Sequence, residues 1–93
     1  MFMKELSSYK RQHLKALAHD LEAFVRIGKN GVTDGVVTAV DNALNDHNLI
    51  KVKFLDYKSK KDELSLELAN KTNSHLIDII GNIAVFYRAG GED

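Results

Sequence analysis

Residues 24–37 read FVRIGKNGVTDGVV, and the organisation of the chain follows from this stretch. Its apolar beginning is typical of a short strand, which we expect over residues 23–27. Gly28 then ends the apolar run, and Gly31 follows three residues later. Glycine permits backbone conformations that are closed to other residues. The stretch therefore predicts a GxxG loop that leaves a strand and enters a further element.

The element after the loop is expected to be a helix. Thr33 is a favoured N-cap residue, because its side-chain oxygen can accept a hydrogen bond from a free N–H of the first turn. We expect this helix over residues 33–47. Apolar residues spaced three or four positions apart predict its buried side, and they are Val36, Val37, Val40 and Leu44.

Hydrophobic spacing and turn residues predict five further elements. They are a helix at 7–19 with Ser7 or Ser8 as N-cap, a strand at 49–55, a helix at 59–70 with Ser59 as N-cap, and strands at 75–80 and 83–88. The last of these helices contains the segment LSLEL, whose alternation is also compatible with a strand. Gly81 and Asn82 separate the last two strands, and glycine supplies the positive φ that a type II′ hairpin turn requires.

The predicted order of elements is α-β-α-β-α-β-β. Strands separated by a helix favour right-handed parallel crossovers, whereas the last two strands form an antiparallel hairpin. We therefore expect a single domain over residues 1–93 of the α/β class, with an α+β-like two-layer architecture. It contains a four-stranded mixed sheet packed with three helices.

Composition supports one small domain of 93 residues, of which 44% are hydrophobic. No apolar stretch approaches the roughly 20 residues that span a bilayer, and the N-terminal residues lack an apolar core of signal-peptide length. We therefore expect a cytoplasmic protein without membrane contact. The absence of cysteine excludes disulfides and thiolate zinc sites.

The formal net charge is zero, but the charges are unevenly distributed. Residues 1–29 contain six Lys or Arg against three acidic residues, and residues 51–61 contain five lysines against one acidic residue. Such blocks favour a folded surface with one basic side. Solvated charge on unrelated exposed faces is the alternative explanation.

The GxxG loop has properties that suit contact with a phosphate. N–H groups at the start of the following helix carry partial positive charge, and Lys29 adds a full one. The spacing matches neither GxxxxGK[ST] nor GxGxxG, but KH modules clamp nucleic-acid backbone with a GxxG loop. Asp34, in the first helical turn, opposes a phosphate. An ordinary connection between strand and helix is the alternative.

Further candidate cations lie on the first helix and on the strand at 49–55. Lys4, Arg11 and Lys15 fall within a narrow arc of a helical wheel, which suggests an anionic partner, with chance surface charge as the alternative. Lys51 and Lys53 alternate with the apolar residues of LIKVKFL and are expected on one exposed side of the sheet. Protection of a sheet edge by lysine is the alternative there.

Catalysis is not indicated by any motif. The chain contains neither HExxH nor GxSxG, and no paired histidine spacing occurs. The histidines are scattered over different elements, at His13, His19, His47 and His75. We therefore expect no catalytic residue, no metal and no cofactor.

Four segments resemble, in order, those of the bacterial YhbY family: LKALAH at 14–19, VRIGKNGVTDGV at 25–36, ALNDHNLIKVK at 43–53 and IIGNIAVFYR at 79–88. This family is the stand-alone form of the CRM domain, named for chloroplast RNA splicing and ribosome maturation. The resemblance spans nearly the whole chain. It implies an RNA-binding domain with a fold similar to the C-terminal domain of a bacterial translation initiation factor. Asp78 departs from the pattern, and an acid facing RNA would weaken phosphate contacts.

The resemblance also implies a partner and a site. It implies binding to ribosomal RNA in large-subunit precursors during ribosome assembly. We further expect a monomer that does not bind DNA. The residues expected to contact RNA are Gly28, Lys29, Asn30, Gly31, Arg11, Lys15, Lys51, Lys53, Lys4 and Arg26. Arg26 is equally compatible with a solvated strand position. A protein-interaction adaptor that docks on ribosomal proteins or assembly factors is the alternative, because the net charge is zero.

Overall fold

The computed structural model describes residues 6–90, so that the candidate Lys4 lies outside the described residues. The helices and strands follow one another in the predicted order, with boundaries shifted by up to two residues. They are α1 (Ser8–Ala18), β1 (Val25–Ile27), α2 (Asp34–His47), β2 (Leu49–Phe54), a 3-10 turn (Lys58–Lys60), α3 (Lys61–Thr72), β3 (His75–Ile80) and β4 (Ile83–Tyr87).

Side-chain caps explain where α1 and α2 begin. Ser7 Oγ accepts a hydrogen bond from the Lys10 N–H at 3.0 Å. Thr33 Oγ1 accepts one from the Val36 N–H at 3.1 Å. Each bond satisfies an N–H that has no partner within its own helix, and both predicted caps are confirmed.

The prediction that Ser59 caps α3 is wrong. Ser59 lies inside the 3-10 turn, and Lys60, the N-cap residue of α3, makes no side-chain capping bond. The Lys60 N–H donates to the Tyr57 carbonyl at 2.9 Å, so the chain is already coiled before α3 begins. Asp62 and Glu63 in the first turn offset the partial positive charge of the helix start.

The ambiguous LSLEL segment belongs to α3. Ser65, Leu68 and Ala69 are buried at helical spacing, whereas Leu66 is exposed. The helix therefore presents one side to the core, and the alternation in the sequence does not reflect a strand.

The sheet is mixed, with strand order β1-β2-β4-β3. β1 pairs with β2 in parallel, and β4 pairs antiparallel with both β2 and β3. α2 thus joins two adjacent parallel strands. α3 joins β2 to β3, which run in the same direction but are separated by β4. In the β3–β4 hairpin, Gly81 has φ +60° while Asn82 has no positive φ, as the predicted type II′ turn requires.

Helices cover both faces of the sheet. Alternate residues of β2, such as Val52, pack with α2 and α3 in the larger core cluster. Leu14 and Ala18 of α1 pack on the opposite face, against Ile77 and Val85. Three helices on a four-stranded mixed sheet confirm the predicted fold class, but the two-layer detail needs correction because α1 forms a third layer.

The sequence of β4 gives the physical reason for that third layer. Ala84, Val85 and Phe86 are consecutive and all fully buried. Successive side chains of a strand point to opposite faces, so both faces of β4 must be covered. Within the described residues, no helix is long and apolar enough to cross a membrane.

Arg88, directly after β4, ties three elements together. Its Nη1 donates to Asp41 Oδ1 and to the Thr72 carbonyl, each at 2.7 Å. Its Nη2 donates to the Asp41 carbonyl at 3.0 Å and to Asn45 Oδ1 at 2.8 Å. One guanidinium therefore holds the end of the sheet against α2 and the last turn of α3.

We expect Arg88→Lys to lower the free energy of unfolding by about 2 kcal/mol, because an ammonium cannot reproduce the planar fork and leaves part-buried acceptors without a donor. Urea unfolding followed by circular dichroism measures this change. Arg26→Lys, on the exposed position of β1, is the matched control and is expected to stay within about 0.5 kcal/mol of wild type. Equal unfolding midpoints for the two variants would contradict the role of Arg88.

Candidate nucleic-acid interface

The GxxG loop is a tight turn at the carboxyl end of β1. The Gly31 N–H donates to the Gly28 carbonyl at 3.0 Å, and the Thr33 N–H donates to the Gly31 carbonyl at 3.1 Å. Lys29 and Asn30 are exposed at the tip, whereas Gly31 is buried. The loop therefore presents one cation and one amide side chain outward, directly before the N-terminus of α2.

Glycine stands at positions 28 and 31 of the loop for different structural reasons. Gly31 has φ +72°, a conformation that costs other residues roughly 1–2 kcal/mol. Gly28 has no positive φ, and a Cβ built on it would have nothing within 4 Å. The fold of the chain thus requires glycine at position 31 and not at position 28. Glycine at position 28 leaves open space beside an exposed backbone, which favours close approach of a ligand.

Tyr57 braces the loop from the neighbouring connection between β2 and α3. Its hydroxyl donates to the Lys29 carbonyl at 2.7 Å, and its ring lies 3.5 Å from the position of a Cβ on Gly31. The Leu55 N–H donates to the Ile27 carbonyl at 2.9 Å. Sequence reasoning missed Tyr57. The signal was available, because loops that follow adjacent parallel strands leave the same edge of the sheet.

Three of the predicted cations are engaged inside the molecule. Arg11 Nη1 donates to the carbonyls of Leu76 and Ile77, at 2.9 and 3.1 Å. These carbonyls lie where β3 bulges, so that Ile77 has no register partner on β4. Arg11 therefore fastens α1 to the edge strand.

Lys15 and Lys51 also hold α1 against the sheet. Lys15 Nζ lies 3.4 Å from Asp78 Oδ2, which places Asp78 on the sheet face that α1 covers. Lys51 Nζ donates to the Leu21 carbonyl at 2.7 Å, and the His19 carbonyl lies at 3.5 Å. A cation there complements the negative end of α1. Whether Arg11, Lys15 and Lys51 also contact RNA stays a prediction.

The remaining predicted cations are exposed. Arg26 and Lys53 are directly paired in the parallel register of β1 and β2, and both are exposed. Within residues 6–90, no hydrogen bond or ion pair engages the side chains of Arg26, Lys53 or Lys29. The structure therefore brings these three together along one end of the β1–β2 pair, while the α1 cations lie towards β3 and β4.

Acidic groups also lie near this surface. Asp34 is exposed in the first turn of α2, and it offsets part of the positive end of that helix. Asp56 Oδ1 accepts the Tyr57 N–H at 2.8 Å. Within residues 6–90, no group of three or more His, Cys, Asp or Glu is arranged to hold a metal ion.

His75, on β3 beside Arg11, is a titrating group of the α1 face. Partial burial and, second, the charge of Arg11 lower the pKa of His75 from its ordinary value of 6.5. The folded state therefore disfavours the charged imidazole.

The geometry defines the class of protein. It is an α+β domain in which a GxxG loop connects one strand of a parallel pair to a helix. The CRS1/YhbY (CRM) domain matches residues 6–88. This chain belongs to that family, as the resemblance implied.

Individual relatives agree with this assignment. An "RNA-binding protein" of Haemophilus influenzae is 40% identical over 91 residues, which are 97% of this chain and 92% of the relative. A "probable RNA-binding protein" of Pseudomonas aeruginosa is 36% identical over 84 residues, 89% and 81% of the two chains. The solution structure of a hypothetical protein from Staphylococcus aureus superposes with a TM-score of 0.82 at 32% identity, covering 96% of this chain and 94% of that one.

The different roles of the glycines give a stability test. We expect Gly31→Ala to lower the free energy of unfolding by roughly 1–2 kcal/mol, because alanine is strained at positive φ. Gly28→Ala is the matched control and is expected to be neutral or to stabilise by up to about 1 kcal/mol, through a less flexible unfolded chain. Urea denaturation of both variants measures the difference. Equal losses in the two would show that position 28 is constrained by the fold after all.

The His75 pKa gives a pH test. Because the pKa of His75 is lowered in the folded state, the unfolded chain binds the proton more readily. The stability contributed by neutral His75 is therefore fully present above about pH 6.5 and is lost as the pH falls below that value. We expect the decline in unfolding free energy between about pH 7.5 and pH 5.5 to be shallower in His75→Gln. Identical pH profiles for this variant and wild type would show that His75 contributes nothing.

Proposed function

We propose that this chain binds RNA without catalysing a reaction, and that its target is ribosomal RNA in large-subunit precursors during ribosome assembly. It acts as a cytoplasmic monomer, without DNA or membrane as a partner. The observation that carries the proposal is the GxxG loop, in which the fold does not require glycine at position 28 while Arg26, Lys29 and Lys53 are exposed beside it. Membership of the CRS1/YhbY (CRM) family and the names of the relatives support it.

The binding is mainly electrostatic and directed at the RNA backbone. A phosphate approaches the loop at Gly28, where no side chain intervenes, and Lys29 supplies a counter-charge. Arg26 and Lys53 extend the positive strip along the sheet. Contacts to phosphates position a nucleic acid but carry little sequence information, so the selectivity derives from the shape of structured RNA.

Local charge, and not net charge, determines the affinity. With a net charge of zero, the protein has little long-range attraction for RNA as a whole. Asp34 further reduces the potential at the loop. The affinity is therefore modest and falls steeply as salt rises, since each phosphate contact releases bound counterions.

A docking adaptor for ribosomal proteins or assembly factors is the second candidate. A cavity of about 140 Å³ lies between the end of α1 and the β3–β4 hairpin, lined by Ala18, His19, Lys51, Ile80 and Ile83. Ile80 in this lining is 54% exposed and Leu17 of α1 is 50% exposed, which suits an apolar partner surface. Binding through this region would depend little on salt.

Titration of a fluorescent fragment of large-subunit ribosomal RNA tests the proposal. We expect Lys29→Gln to weaken binding about fivefold and to reduce the slope of log affinity against log salt by about 0.7, the loss of one phosphate contact. The control Lys71→Gln changes the same charge on α3, where Lys71 lies beside Glu67, and is expected to bind like wild type. Salt-independent binding, or equal effects of both variants, would contradict phosphate contact by the loop.

The choice of RNA needs a separate measurement. Cross-linking the protein to RNA in cells and sequencing the attached fragments is expected to enrich one region of large-subunit precursor RNA. Fragments spread over unrelated messenger and transfer RNAs would reject the ribosomal target while leaving RNA binding intact.

A further inference from the structure

The connection between β2 and α3 carries two lysines that the sequence-based site did not include. Lys58 and Lys60 belong to the 3-10 turn, and both are exposed. Within residues 6–90, no hydrogen bond or ion pair engages either ammonium group. Lys61, by contrast, donates to the Gly81 carbonyl in the turn between β3 and β4. The structure thus leaves these two charges uncommitted.

The fold places this turn beside the GxxG loop. β1 and β2 are adjacent and parallel, so the segments that follow them leave the sheet at the same edge. The Tyr57 hydroxyl reaches the Lys29 carbonyl at 2.7 Å, and Lys58 follows Tyr57 directly. The two loops are therefore in contact and not merely on the same side of the molecule.

The backbone of the turn is held in a defined conformation. Tyr57 has φ +58°, and its carbonyl accepts the Lys60 N–H at 2.9 Å. The positive φ of Tyr57 changes the direction of the backbone after β2. The 3-10 turn therefore begins beside the GxxG loop and does not continue the direction of β2. A phosphate site on such a turn loses less conformational freedom on binding than a mobile tail would.

The acidic residues near the turn lower its positive potential but do not pair with its two lysines. Asp56 Oδ1 is occupied by the Tyr57 N–H, and Asp62 and Glu63 lie in the first turn of α3, where they offset the partial positive charge of the helix start. None of these carboxylates forms an ion pair with Lys58 or Lys60 within the part of the chain that the structure describes.

We propose that the 3-10 turn is a second phosphate-contacting loop, in which Lys58 and Lys60 bind backbone phosphates of the same RNA that approaches the GxxG loop. The Tyr57 hydroxyl bond sets the spacing between the two loops. The contact surface is then bipartite and crosses the carboxyl ends of β1 and β2. This inference rests on the proposed RNA-binding function and assigns it two further residues.

Equilibrium titration of the full chain with the same ribosomal RNA fragment tests the inference. The double variant Lys58→Gln/Lys60→Gln removes two positive charges and disturbs no contact of the fold. We expect an affinity loss of roughly five- to twentyfold and a decrease in the salt slope of about 1.4, because two phosphate contacts disappear. Its thermal midpoint is expected to match wild type.

The control variant is Lys71→Glu, which changes the net charge by the same two units. Lys71 lies near the end of α3, roughly 16 Å along the helix axis from Lys60. We expect it to bind RNA like wild type. An equal loss of affinity in the control would overturn the inference, because net charge and not local contact would then explain the effect.

The results separate the two proposals. If wild type binds, Lys29→Gln weakens binding and Lys58→Gln/Lys60→Gln retains wild-type affinity and salt slope, the second loop is rejected and the proposed function stands. If wild type shows no salt-dependent RNA binding, both are rejected. Loss in the double variant with an unchanged Lys71→Glu control supports the bipartite surface.

Discussion

The parallel pairing of β1 with β2 is the constraint on which the surface of this protein depends. Only three residue pairs form it, and Arg26 opposite Lys53 is the central one. The pairing turns Val25 and Ile27 into the core, and a slip of one residue would exchange them for Arg26. Because both strands end at the same edge, the two loops that follow lie side by side. Tyr57 then converts this proximity into direct contact.

Positive charge serves two purposes in this small domain. Arg11, Lys15 and Lys51 direct their donors to carbonyls and to Asp78, and thereby hold α1 on the sheet. Arg26, Lys29 and Lys53 have exposed side chains beside the GxxG loop. Charge counted along the sequence does not distinguish these groups, since the difference arises from which backbone carbonyls the fold brings within reach.

Much of the fold could be predicted from local sequence. Ser7 and Thr33 marked helix starts, and Gly81 marked a hairpin, because each effect is completed within a few neighbouring residues. The third layer could not be predicted in the same way. Burial of both faces of β4 depends on α1, which is distant in sequence, and only the consecutive apolar residues 84–86 hinted at it.

The candidate site, like the fold, could be predicted where it depends on local sequence and not where it depends on contacts between distant residues. The GxxG spacing was visible in the sequence, and the exposure of Lys53 followed from alternation in β2. The role of Tyr57 was missed, because its hydroxyl bond joins residues that are 28 positions apart and only the parallel pairing of β1 with β2 pointed to it. The prediction of Ser59 as an N-cap was wrong because the chain already forms a 3-10 turn at that residue.

The two outer strands of the sheet have a further consequence for the behaviour of many copies together. Unpaired strand edges are templates on which a second chain can add. β1 is only three residues long and carries Arg26, whereas β3 is interrupted by its bulge, where two carbonyls are already taken by Arg11. Neither edge is a long, flat template. A protein with no net charge lacks the mutual repulsion that keeps copies apart, so these blunted edges are its structural safeguard against aggregation.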